Sequence, residues 1–223
     1  MEWRRSSIHS ALETLEPVWG ELHRMATPKN FGDPEEEFRQ IRQLAIADVS
    51  ALTKLGVKGP RAVSWLEQEG VKIPDATFGC RYRKGKQLVV RMGKDEFFLE
   101  EGYEGDRVRR LASHLGTGGA GVYRVERQDT GLLLSGATAP GVLAQTCSYD
   151  FSEKRGTVVM TRVAVTACAV LCQEVDGTPV FRLWCAPSYG TFLWETLLSI
   201  VRELGGRPVG STAVRKLFDN DTP

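Results

Sequence analysis

Two aspartates, Asp129 and Asp150, bracket a glycine-led element, TGLLLSGATAPGVLAQTC, and are the acids best placed to serve a small-molecule site. A carboxylate does acid–base work only in a pocket that tunes its pKa. The plainer use of Asp at such places is to cap a turn or a helix. Arg127, Gln128, Ser148 and Tyr149 stand beside them as further polar groups. A glycine cluster, GTGGAGVYRV (116–125), has the composition of a phosphate cradle. Such a cradle needs its glycines between a strand and a following helix, so that helix N–H groups face the anion. Here the helix comes first and the strand second, and no Gly-Lys-Ser or Gly-Lys-Thr follows, so the cluster is expected to link two units. No GxSxG is present, and no Ser/His/Asp or Cys/His set is arranged recognisably.

Arg81, Arg83, Lys84, Lys86 and Arg91 gather around a turn at Gly85. Nucleic-acid binders interleave such cations with aromatics, and Tyr82 alone does so here. A solvated hairpin or a contact for an acidic protein partner is the expectation. Trp194 is expected to face away from the Leu193/Leu197/Leu204 line of its helix, toward which Tyr189 and Phe192 lean. An exposed tryptophan marks a partner contact; core filling is the alternative, and the favoured one. The five cysteines (80, 147, 168, 172 and 185) lack CxxC spacing, and His9, His23 and His114 are scattered. No metal site is expected, and reduced core thiols point to the cytoplasm. A net charge of +1 and 42% apolar residues give no general field for nucleic acid or anionic membrane and enough material for a core. No stretch has the length of a membrane span, and no secretory h-region opens the chain.

The elements that must position these residues follow from periodicity. Ile8, Leu12, Leu15, Trp19 and Leu22 recur at helical spacing, with Pro17 as a kink. Asp33-Pro34 followed by three glutamates starts a second helix. Residues 1–44 therefore form a helical arm. From residue 45 the chain alternates short strands and helices. Helices are expected over 60–70, 104–116 and 188–206, and strands over 80–102, 121–136, 158–175 and 179–187. Asp176-Gly177 is a hairpin signal. Leu55, Val57, Gly59, Ala62 and Leu66 recur as Leu132, Leu134, Gly136, Ala139 and Leu143 at a constant offset, so the chain holds a repeat. The expectation is an α+β fold: a first α/β unit over 45–118 and a second over 119–223, packed as one domain behind the arm.

DVSALTKLGVKGPRAVSWLEQ, GLLLSGATAPGVLAQ and LGGRPVGSTAVRKL resemble the strand–helix openings and the late Gly-x-x-Pro-x-Gly segment of the folate-binding aminomethyltransferase fold, that of the glycine-cleavage T-protein. The resemblance spans about 45 to 217. The arm, the GVYRV-x-R-x-D segment and the SYGTFLWETLLSI helix are more similar to the gamma subunit of heterotetrameric sarcosine oxidase. The departures fall where a folate enzyme carries acids. GVKIPDATFGC replaces the Asn-Asp pair after the first helix, and Lys216-Leu217-Phe218-Asp219 replaces the final Leu-Arg-Leu-Glu. The T-protein's C-terminal barrel has no counterpart in these 223 residues.

The resemblance implies a subunit without autonomous activity. Its flavoprotein alpha and beta partners would hold FAD, FMN and NAD, with tetrahydrofolate taking the one-carbon unit. One alternative is a folate-binding protein or aminomethyltransferase-like factor using Asp129 or Asp150. The other is an adaptor outside one-carbon metabolism.

Overall fold

The computed structural model describes residues 3–83, 87–119, 121–152 and 156–219. Its elements in chain order are α1 (His9–Glu13), β1 (Val18–Leu22), β2 (Met25–Asn30), α2 (Pro34–Gln43), β3 (Ala45–Asp48), β4 (Lys54–Lys58), α3 (Ala62–Gln68), β5 (Cys80–Arg83), β6 (Gln87–Gly93), β7 (Glu96–Glu101), α4 (Arg107–Leu115), β8 (Gly118–Gly119), β9 (Val122–Val125), β10 (Thr130–Ser135), α5 (Ala139–Thr146), β11 (Val158–Val163), β12 (Thr166–Val175), β13 (Thr178–Cys185), α6 (Gly190–Glu203), β14 (Arg207–Pro208) and α7 (Ser211–Asp219).

They form two compact units that do not follow chain order. The larger takes residues 1–51, 129–155 and 159–223; the smaller takes 52–128 with 156–158. The sequence pattern places its boundaries at 44/45 and 118/119 instead. The difference comes from two strands. β3 lies between β10 and β14 in the larger unit's sheet, ordered β11-β12-β13-β10-β3-β14. β9 lies between β4 and β8 in the smaller unit's sheet, ordered β5-β6-β7-β4-β9-β8. The two orders correspond strand for strand, and each repeat lends its leading strand to the other repeat's sheet.

The matched glycines explain why the repeat is legible. Gly59 and Gly136 end β4 and β10 with φ of 125° and 121°, a region essentially reserved for glycine. A Cβ on Gly59 would collide with the Gly121 carbonyl oxygen, and one on Gly136 with the Gln43 backbone. Each glycine lets a neighbouring backbone pass before the helix begins. Gly121 of the glycine cluster serves the same crossing, since its carbonyl accepts the Arg61 N–H at 3.0 Å.

Leu132, Leu134, Phe181, Leu183, Leu193, Trp194 and Leu197 centre the larger unit's core. Leu55, Val57, Phe97, Leu99, Leu111 and Val122 centre the smaller one's. Glu37 of α2 is buried and ties three segments together: its carboxylate accepts the Phe31, Gly32 and Gly210 backbone N–H groups.

Three local expectations are corrected. The arm is not helical throughout. α1 stops at Glu13, Glu16 takes φ 50° ahead of Pro17, and Trp19 and Leu22 lie in the β1–β2 hairpin, turned by His23 and Arg24 at φ 48° and 65°. The run 158–175 is two strands, because Ala164 and Val165 take φ 46° and 60° and form a two-residue turn. Positive φ at both central residues matches the right-handed strand twist, but neither turn carries glycine. Finally, Trp194 is 1% exposed. The buried positions of α6 are 190, 193, 194, 197, 198 and 201, a broad apolar stripe that includes Trp194. Tyr189 and Phe192 fall outside that stripe and are about half exposed.

Candidate functional site

A cavity lies in the larger unit, where α5 gives way to the 147–152 segment over the β12–β13 hairpin. It has a volume of about 610 Å³, and its walls include Leu143, Cys147, Tyr149, Phe151, Cys172 and Phe181. That size suits a small organic molecule. The aromatic wall is continuous: the Tyr149 and Phe151 rings are 4.8 Å apart, and Phe151 meets Phe181 edge-on at 5.8 Å. Polar groups come from Ser148, Asp150, Ser152 and Gln173.

Asp150 lines this cavity as an exposed carboxylate. Its Oδ1 accepts the Ser152 N–H at 2.8 Å. Donation from the Ser152 backbone and hydroxyl holds its pKa below the ordinary carboxylate value. It therefore stays ionised while capping a turn at the exposed rim of the cavity. Asp129 does not join it. Asp129 precedes Thr130, whose register partner is Cys185, whereas the cavity's Phe181 pairs with Leu134 farther along β10. The structure does not bring the two aspartates to one place.

Two of the five cations of the basic run are committed. Arg81 donates Nε–H to the Ile73 carbonyl at 2.9 Å and lies 3.5 Å from Asp75. Arg91 donates to the carbonyls of Pro74, Asp75, Gly93 and Lys94, and stands 5.6 Å over the Phe97 ring. Arg83 ends β5 opposite Gln87; Lys84 and Lys86 lie outside the described residues. Arg81 and Arg91 thus hold the 73–75 segment rather than presenting a basic face. That segment belongs to GVKIPDATFGC, where the folate-enzyme pattern would carry Asn-Asp.

Sequence reading missed the buried charges of the smaller unit. Lys54 and Glu100 are directly opposed across β4 and β7, and their side chains, almost wholly buried, approach to 3.7 Å. The adjacent Glu101 accepts the Val108 N–H at the start of α4, while burial pushes its pKa above 4.5. The visible signal was a Glu-Glu pair closing the apolar strand EFFLEE. At the other end of the chain, Lys216 pairs with Glu35 at 2.9 Å, and Asp219 approaches Arg215 at 3.6 Å, so the α7 charges are met by local partners. Among the described residues no three His, Cys, Asp or Glu groups could hold a metal ion. No helix among them is long and apolar enough to cross a membrane.

Comparison with solved structures gives the class first. The glycine cleavage system aminomethyltransferase T from Bartonella henselae superposes with a TM-score of 0.75 over 96% of this chain and 61% of its own, at 18% identity. A chain of the heterotetrameric sarcosine oxidase from Corynebacterium sp. U-96 superposes with a TM-score of 0.61 over 74% of this chain and 87% of its own, at 19% identity. The fold is the α+β fold of the aminomethyltransferases. Sequence agrees. Aminomethyltransferases of Bacillus cereus and Bacillus mycoides are each 26% identical over 204 residues, covering 82% of this chain and 54% of theirs. The chain is similar in sequence to these aminomethyltransferases, and it spans about half the length of the curated relatives it matches. No protein-family model matches it.

Proposed function

We propose that the chain is a gamma-type, non-catalytic subunit of a heteromeric complex that oxidises a methylated amine, of the sarcosine-oxidase kind. The observation that carries this is the likeness of fold to a chain of the heterotetrameric sarcosine oxidase, which takes in 87% of that chain. A scaffold can outlast the site it once held, and the 73–75 segment clamped by Arg81 and Arg91 accords with that history.

In this reading the cofactors FAD, FMN and NAD reside on flavoprotein partners, and the one-carbon unit passes to tetrahydrofolate. The complex works in the cytoplasm. The test is affinity purification of the tagged full chain from its native host. Co-elution of two larger chains with flavin absorbance and methylamine-dependent electron transfer is expected. Elution as a lone monomer would end the reading.

One observation favours a second reading, a chain that binds tetrahydrofolate itself. Asp150 stands ionised at the rim of a cavity with an aromatic wall. A pterin ring would stack on that wall and donate N–H groups to the carboxylate. Isothermal calorimetry of the isolated chain with tetrahydrofolate tests it. Binding that weakens about tenfold in Asp150→Asn is expected, the loss of one charge-assisted hydrogen bond. No heat at high-micromolar ligand would sink it.

A further inference from the structure

Four of the five cysteines lie in the larger unit, and two of them face each other. Cys168 of β12 and Cys185 of β13 are direct register partners across an antiparallel pair. Directly opposed residues there have Cα atoms about 4.5–5.5 Å apart, inside the range of about 4.4–6.8 Å that a disulfide spans. Both side chains enter the same core cluster, at 2% and 3% exposure, so the thiols lie on one face of the sheet. Cys185 is in turn the register partner of Thr130, whose Oγ1 is 2.5 Å from the Ser7 hydroxyl. The thiol pair thus continues a polar row across the end of the sheet.

The pair is also next to solvent along the chain. Cys185 is the last residue of β13, and the four residues after it are exposed. Cys168 is the third residue of β12, with Ala167 exposed before it and Val165 79% exposed at the turn. Fraying of the terminal rungs, the least costly kind of local opening, uncovers both sulfurs without unfolding the core.

We infer that Cys168 and Cys185 are an oxidative modification site, closing to a cross-strand disulfide when the chain meets a peroxide. The hydrogen bond between them distinguishes their roles. The Cys168 thiol holds its proton, being pushed up by donation to Cys185 and by burial, while acceptance of that bond lowers Cys185. Cys185 gives up its proton and its sulfur attacks one peroxide oxygen. The O–O bond breaks, the departing hydroxide takes up that proton as water, and Cys185 becomes a sulfenic acid. Cys168 sulfur then displaces the sulfenic hydroxyl, which leaves as water with the Cys168 proton. In sum, two thiols lose two hydrogens, and one hydrogen peroxide becomes two waters. The inference is independent of the subunit reading, because it requires only the peroxide.

The test is peptide mapping of the full chain after exposure to hydrogen peroxide, with free thiols alkylated under denaturing conditions. The expected product is one linked pair of peptides, Cys168 with Cys185, reversed by dithiothreitol. It should be retained in Cys80→Ser and Cys147→Ser and absent in Cys168→Ser and Cys185→Ser. Full alkylation of Cys168 and Cys185 while Cys80 or Cys147 is oxidised would overturn the inference, and so would a Cys147–Cys168 link. The mapping of the unsubstituted chain decides the matter even if a serine variant fails to fold.

Discussion

The segments that follow the two matched helices meet different fates. After α3, residues 69–79 are bound down: Arg107 donates to the Glu69 and Gly70 carbonyls, Arg81 to Ile73, and Arg91 to Pro74 and Asp75. After α5, the 147–152 segment stands over a cavity of about 610 Å³. One position accounts for much of this. Arg91 of β6 lies opposite Phe97; at the matched register, opposite Phe181, β12 carries Cys172, which lines the cavity. A guanidinium with four carbonyl partners occupies in one unit the kind of space that a small thiol leaves open in the other. Repeats with common strands and a common glycine have thus diverged through the side chains that hold their connections.

The largest effect should come from the feature the units share. Gly59→Ala and Gly136→Ala each force a side chain into a glycine-only φ and into neighbouring backbone. Each should cost about 3 kcal/mol or more in urea unfolding, or abolish soluble expression. If one is tolerated, the two crossings are not equivalent. The next effect separates the units. Arg91→Met strips the 74–75 carbonyls of their donor and should cost about 2–3 kcal/mol, with hydrogen exchange rising in residues 71–79 and not in 147–152. Gln173→Arg, at the cavity-lining residue beside Cys172, tests the open side. It should leave stability within about 1 kcal/mol while closing the cavity to an apolar fluorescent probe; undiminished probe uptake would break the comparison.

The smallest effect is in pH. Glu101 has a folded pKa raised above 4.5 by burial. Its contribution to stability is therefore complete below that value and is lost as pH rises through the folded pKa. Unfolding midpoints followed upward from pH 4.5 should decline more in the natural chain than in Glu101→Gln. Equal slopes would remove Glu101 as the cause.

Much of this architecture was legible because local and global signals agree. Asp33 caps α2 through the Glu36 N–H at 2.8 Å, Asp176-Gly177 turns β12 into β13, and the glycine-helix pair repeats at a constant spacing. The misses have physical causes. His23-Arg24 and Ala164-Val165 make tight turns without glycine, so a helical spacing concealed one hairpin and a β-branched run concealed the other. Trp194 was misplaced because the α6 stripe is broad enough to take in a residue beside the leucine line. The cavity was not legible, since Asp150 and Phe181 lie on distant segments joined by folding. Nor was the burial of Lys54 with Glu100, which depends on the pairing of β4 with β7.

The placement of β3 and β9 carries a consequence for any attempt to divide the molecule. A cut in the glycine cluster, between α4 and β9, leaves an N-terminal piece whose sheet lacks β9 and a C-terminal piece whose sheet lacks β3. Neither half can close its own hydrogen-bonded edge, and each holds the strand the other needs. Expressed alone, the halves should precipitate; expressed together, they should find one another and restore a single particle, as a split reporter does.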